Sequence, residues 1–418
     1  MKKTFLLSCL MLAAMPVMAA YTGHVYVDKN KNGVFDQSEK PLAGIKVSDG
    51  LNVVETAADG SFTLPGHERE RFIFITTPSG YKTFNRHYHK IEKKQSGYDF
   101  GLIPYSGRIR KDGSHRYIHI TDTEIFNTEN HADWVNNVHD YARNEQAAFI
   151  IHTGDICYEK GLKAHIKLMN TENMDCPVFY CIGNHDLVKG KYGEELFESI
   201  YGPVYYSFDA GNVHYVVTPM PGGDHAPGYT SDDVCRWLKN DLAHIRPGTP
   251  VVVFNHDLLT YEDTFIFKSK NAGSINLNEY NLKAWVYGHW HINYMKKQGD
   301  VYSVCTSSLD KGGIDHSTTA FRVMHVDSKG DFTSELRYTY LDKNICIASP
   351  AGVMASGVLP VAVNVYSSVS PVREVLYTCL ADGKPVLKNK RLLQSTDWSW
   401  NGELPLSHKY VGKELTLR

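Results

Sequence analysis

Past its first twenty residues, this 418-residue sequence has no long apolar run, no surplus of either charge and no closely spaced cysteine pair. The first absence excludes a polytopic membrane protein. The second, with Lys plus Arg at 44 against Asp plus Glu at 46, leaves no global field to recruit nucleic acid. The third argues against a thiolate metal site or a disulfide framework. Outside the first twenty residues the cysteines are Cys157, Cys176, Cys181, Cys235, Cys305, Cys346 and Cys379, an odd number at irregular spacing. Small buried residues are the simpler reading. Internal repeats and low-complexity stretches are also missing. What is abundant is aromatic surface, 26 Tyr, 17 Phe and 6 Trp, which rules out disorder. The length predicts two or three domains.

Residues 1–20 read as a signal peptide. Lys2 and Lys3 supply the positive end, Phe5 to Val17 the apolar stretch, and Val17-Met18-Ala19 a small-residue cleavage site. The expectation is export to a periplasm or beyond, with an uncleaved anchor as the weaker alternative. Cys9 follows only about four apolar residues, too few for lipoprotein processing.

Residues 21–108 alternate short strand patterns with turns such as Asp49-Gly50 and Asp59-Gly60, predicting an N-terminal β-sandwich. From 109 to 340, strand-like runs at 117–121, 147–152, 177–182, 213–218, 250–255 and 284–288 alternate with helical patterns. Those lie at 130–145, 193–201, 231–244 (with Ser231 as N-cap) and 277–283. Such alternation predicts an α/β (α+β) domain of layered sheets. Residues 341–418 return to strands and predict a small C-terminal β-rich domain.

Five segments inside the middle region place metal-binding side chains just after apolar runs. They are Asp122-Thr123-Glu124, Gly154-Asp155 with Tyr158, Gly183-Asn184-His185-Asp186, Asn255-His256-Asp257 and Gly288-His289-Trp290-His291. In a layered α/β sheet they would converge on the carboxyl edge, where ligands bind. An Asp, Asn and His donor set suits Zn, Mn or Fe. There are enough donors for two ions bridged by Asp155, which could present a bridging hydroxide to a phosphoryl group. Any one segment alone is ordinary turn chemistry; the five together in order are not.

At these residues the sequence resembles the calcineurin-like metallophosphoesterase superfamily over roughly 115–310. The resemblance implies a two-layered sheet core with outer helices and hydrolysis of phosphate mono- or diesters. It would give one metal Asp122, Asp155 and His291, and the other Asp155, Asn184, His256 and His289. His185 would protonate the leaving oxygen or clamp the phosphoryl group, with Asp186 orienting its ring. Glu124 stands where that family usually has His, and either loses an imidazole or supplies an oxygen. Asp155 with Tyr158, together with Val253 to His256, is similar to the purple acid phosphatase branch, in which such a Tyr binds ferric iron; Tyr158 is equally readable as a packed rim aromatic.

The loops 219–225 and 310–313 suit pocket walls, and His225, Asp257 and Trp290 are candidate substrate contacts. Residues 28–39 place Asp28, Asn30, Asn32, Asp36 and Glu39 at positions one, three, five, nine and twelve of a calcium-loop template, with Gly33 at six. A strand, not a helix, leads in, so a structural calcium clip is expected, with a bare hydrophilic turn as the alternative. This loop and the segment after it look like the calcium-braced sandwiches of exported bacterial proteins. The flanking β-modules could contact a cell envelope or a glycan. The leading reading is an exported dinuclear-metal phosphoesterase. Its rival is a non-catalytic surface or carbohydrate-binding protein on a degenerate core, motivated by Glu124 and the flanking modules.

Overall fold

The computed structural model describes residues 20–418 except 106–107, 342, 353–356, 369 and 396–398. The expected signal peptide and Cys9 therefore lie outside the described residues.

The middle of the chain builds two facing sheets. One has five strands in the order Val178–Tyr180, Phe149–His152, His115–Ile120, Ala320–Val326, Phe332–Tyr338, the first three parallel. The other has six: Tyr206–Ala210, Val213–Val217, Val251–Phe254, Leu282–Tyr287, Val301–Cys305 and Tyr294–Gln298. Its four middle strands are parallel. Alternation along each strand decides which side chain faces which layer. Tyr117, Phe149 and Ile151 point between the sheets, where the rings of Phe208, Tyr215 and Phe254 join them in one buried cluster. Ile118, Ile120 and Ile150 point outward, into a second cluster beneath the helices.

The inter-sheet core is largely aromatic. Tyr117 stacks on Phe149 at 4.8 Å between centroids, and both meet Phe254 of the opposite sheet edge-on at 5.8 and 6.3 Å. Phe149 is 1% exposed, and truncation to Ala would cost about 3–5 kcal/mol.

Helices α1 (Ala132–Asn144), α2 (Tyr158–Leu168), α3 (Glu195–Tyr201) and α4 (Ser231–Ala243) lie outside the sheets. The N-cap of α4 is Thr230, not the expected Ser231. The Thr230 side chain accepts from Asp233 N, and the Asp233 carboxylate accepts from Thr230 N, a reciprocal capping box. The expected helix at 277–283 is a single 3-10 turn, Leu277–Tyr280. It ends at Asn281 in the left-handed region (φ 54°), and the strand Leu282–Tyr287 follows.

Before this core, a five-stranded and a four-stranded sheet enclose Val25, Val47, Phe62, Ile73 and Phe100. After it, a four-stranded and a three-stranded sheet enclose Val361, Val363, Tyr377 and Trp400. The cysteines of the described residues are free, and all are buried but Cys346. No helix among the described residues is long and apolar enough to cross a membrane.

Candidate metal centre

Each of the five motifs begins where a parallel strand ends. The strands ending at Ile120, His152, Tyr180, Phe254 and Tyr287 hand the chain to Asp122, Asp155, Asn184, His256 and His289. At these strand ends the backbone turns sharply. Asp122, Glu124, Asp155, Tyr158, His289 and His291 all have positive φ between 43° and 65°. Left-handed non-glycine residues are uncommon, and such strain concentrates at functional sites. Gly154 (φ +99°) lets the second motif pass under the fourth; a Cβ there would meet His256 Nδ1 at 2.6 Å.

Asp155, His256 and His289 bring their donor atoms within 4.8 Å of one another, as do Glu124, Asp155 and Cys157. Asp155 thus stands between two donor groups. His256 Nε2 lies 3.1 Å from Asp155 Oδ2 and 3.9 Å from Asp122 Oδ1. His291 Nε2 lies 3.2 Å from Asp122 Oδ1 and 3.7 Å from Glu124 Oε1. His256 Nδ1 donates to Thr153 O at 2.7 Å, which fixes the tautomer and turns the Nε2 lone pair into the site. With no cation bound, burial opposes charge on His256, but the Asp155 and Asp122 carboxylates outweigh it and raise its pKa to about 10; the same negative field would draw a cation to Nε2 in place of that proton.

Three enclosed atoms at these motifs, Asp122 Oδ1, Asn184 Oδ1 and His256 Nε2, lack a well-aligned hydrogen bond, and Asp122 and His256 have only the close charge contacts above. A buried polar atom without a well-aligned partner is costly, and cations ligated by these atoms would remove that cost. The donors therefore fit the two metal ions that the sequence suggested. Around them, burial lowers the pKa of His119 to about 3 and holds that of His152 well below the usual imidazole range, so both stay neutral supports. His119 Nε2 shares a hydrogen bond with Thr153 Oγ1 at 2.8 Å.

Residues 115–293 match the family model for the calcineurin-like phosphoesterases, and residues 29–104 match the model for the N-terminal part of the same family. The chain belongs to the calcineurin-like phosphoesterases. Among curated proteins it is similar to purple acid phosphatase 13 of Arabidopsis thaliana, 26% identical over 215 residues. That alignment takes 48% of this chain and only 36% of the plant protein, so the chain spans about a third of that relative's length. Among solved structures it is similar to an archaeal phosphodiesterase (13% identity, TM-score 0.27, 53% of this chain and 99% of the other). Another is the phosphopantetheinyl hydrolase of Mycobacterium tuberculosis (13%, TM-score 0.30, 46% and 89%). Both likenesses are remote.

Within this calcineurin-like centre, two expectations need correction. Asp186 does not orient His185. Its oxygens accept from Gly183 N at 2.9 Å and Cys157 N at 2.7 Å, tying the third motif to the second. Burial first, then Asp155, raises its pKa to about 7. The partner of His185 is Asp224, whose Oδ2 lies 2.9 Å from His185 Nδ1. From the 219–225 loop it is thus Asp224 that reaches the site; His225 is exposed and does not line the cleft. Burial opposes charge on His185, yet the Asp224 hydrogen bond and the Asp155 charge carry its pKa above the ordinary value.

Glu124 points into the site, paired to Lys311 from the 310–313 loop. Sequence reasoning had marked that loop as a wall without singling out its lysine. Tyr158 lies at the rim, 44% exposed, its ring stacked on Phe126 at 6.2 Å and 5.4 Å from the ring of His185. Asp257 and Trp290 line the cleft, and the Trp290 indole donates to Asp257 Oδ1 at 3.0 Å.

Away from this centre, the 28–39 loop gathers its acids as the template requires. Asp28 (1% exposed) accepts from Asn32 N and Gly33 N, and Glu39 (6%) accepts from Lys29 N. Asn30 donates to Asp36, and Asn32 Oδ1 accepts from Val34 N. The strand Tyr21–Val27 leads in.

Proposed function

We propose that this chain is an exported, metal-dependent phosphoric ester hydrolase with two ions held by Asp122, Asp155, Asn184, His256, His289 and His291. The observation that carries the reading is the trio of enclosed ligand atoms around Asp155 that lack a well-aligned hydrogen bond. Bound there, two cations would neutralise phosphoryl oxygens and lower the pKa of the attacking water. The protein's own side chains do the rest. Asp155 belongs to both donor groups. His256 is locked in one tautomer by Thr153. His185, whose protonated form is favoured by Asp224 and Asp155, stands at the rim to give its proton to the leaving oxygen. Glu124 adds a carboxylate oxygen near His291, its second oxygen held by Lys311. Twenty N-terminal residues would direct export. In the 28–39 loop we read a structural calcium ion.

The test joins elemental analysis to turnover. The exported protein, beginning near Ala20 or Tyr21 by intact mass, should bind two equivalents of Zn, Mn or Fe and hydrolyse p-nitrophenyl phosphate esters. Asp155→Ala should lose both metals. His185→Ala should keep them and lose roughly 10²–10⁴ in turnover, the usual worth of a general acid. Wild-type protein that loads metal and hydrolyses none of these esters would leave the degenerate-core reading standing.

A further inference from the structure

Metal donors including Asp155, His289 and His291 line an open cleft of about 660 Å3 that also carries exposed apolar side chains. Tyr261 is 74% exposed, with one face on Trp290 at 5.8 Å and 24° between planes. Trp290 sits between His289 and His291 in the chain, so this stack is fixed to the ligands themselves. Ile314, also 74% exposed, is held beside it because its backbone N–H donates to His291 O at 3.0 Å. Leu258 completes that wall. A second aromatic stack, Phe126 (56% exposed) on Tyr158 (44%), stands next to His185. Large side chains held this open to water at a catalytic floor are placed for a ligand rather than for the core.

Charge points the same way. Among the described residues lining the cleft there is no lysine or arginine, and neighbouring Lys311 is taken by Glu124. A phosphate monoester at neutral pH is a dianion and calls for cationic clamps in addition to metals. A diester carries a single charge and two organic groups, for which the Tyr261, Trp290 and Ile314 wall and the Tyr158–Phe126 stack beside His185 offer two apolar surfaces.

We infer, resting on the hydrolase reading above, that the site acts on phosphodiesters bearing aromatic or bulky apolar groups. The leaving alcohol lies against Tyr158 and Phe126, beside the proton on His185. The retained ester group lies against Tyr261, Trp290 and Ile314. Water adds to phosphorus, the ester P–O bond on the His185 side breaks, the leaving oxygen takes the His185 proton, and a proton released by the added water restores His185. The product is a monoester that keeps the group on Tyr261.

Three substrates with one leaving group test this in the metal-loaded enzyme: bis(p-nitrophenyl) phosphate, methyl p-nitrophenyl phosphate and p-nitrophenyl phosphate. The expected order of kcat/KM has the bis-aryl diester first by at least tenfold over the monoester. Tyr261→Ala should reduce the preference for the bis-aryl over the methyl diester roughly fivefold, mainly through KM, the scale of one lost aromatic contact. Tyr261→Phe should restore it. A monoester preference, or a bis-aryl to methyl ratio unmoved by Tyr261→Ala, overturns the inference and leaves a phosphoesterase. Failure to hydrolyse any of the three overturns the hydrolase reading itself.

Discussion

A protonated histidine is useful to a leaving oxygen only while it holds its proton, and of the carboxylates around His185 it is Asp224 that bonds the ring directly. Asp224 bonds His185 Nδ1 at 2.9 Å and, against the effect of burial, helps raise the pKa of the ring. The sign follows directly. An acid with a raised pKa stays protonated to higher pH, so turnover should fall on the alkaline side as His185 deprotonates. Asp224→Asn removes the charge and keeps the shape, so that alkaline limb should move to lower pH. Below the new limb, turnover should approach that of the wild type, and metal content should not change. A kcat–pH profile of the two proteins settles it; superimposable limbs would show that Asp224 serves only the loop. Sequence reasoning offered Asp186 for this part because it adjoins His185. The real partner arrives from a loop 39 residues on, a contact that only the folded chain creates. The candidate ligands were legible as a cluster for the opposite reason, since each follows its own strand and carries its chemistry locally.

At the level of elements, legibility followed apolar periodicity. Strands ending in the five motifs read clearly because buried parallel strands are continuous apolar runs. Helix α2 did not, because its buried positions are Gly161, Leu162, Ala164 and His165, which give little contrast with its charged face. At 277–283, Asn281 in the left-handed region stops the turn after four residues, which a hydropathy pattern does not register. The 28–39 loop is the element whose spacing alone made a testable statement. Asp28 and Glu39, two of its three carboxylates, are buried and accept from the loop's own N–H groups. Calcium at about 5 mM should therefore stabilise the N-terminal sandwich by about 1–2 kcal/mol, given the weak affinities of extracellular calcium modules. Thermal melts in calcium and in EDTA measure it. Asp28→Asn should shrink the difference between the two melts, and equal melting temperatures in the wild type would leave a bare hydrophilic turn.

At the scale of the whole molecule, the N-terminal sandwich is joined to the catalytic core by a buried charge cluster. Arg71, on the sandwich side, reaches Glu194 at 2.7 Å and Glu198 at 2.9 Å beside α3, whose N-cap is Glu194. It also lies over the Tyr192 ring at 4.5 Å. The carboxylates of Glu194 and Glu198 are 0% and 5% exposed, so neither can turn to water if the arginine is lost. Breaking such a cluster from one side costs about 3–5 kcal/mol. The loss should depend on pH. Burial pushes the Glu198 pKa up to about 7 even though Arg71 pulls it down. A carboxyl whose folded pKa exceeds its unfolded one favours the folded state while protonated. That contribution is full below the unfolded pKa and is lost as pH rises through about 7. Without Arg71 the folded pKa rises further, so Arg71→Ala should be mildly destabilised at pH 5 and severely at pH 8. Urea titrations at the two pH values read this directly. An equal loss at both would mean that Arg71 contributes packing on Tyr192 rather than charge. Because α3 follows directly on the loop that begins with the GNHD motif, the variant should also loosen His185, seen as reduced turnover at pH 8 before any global unfolding.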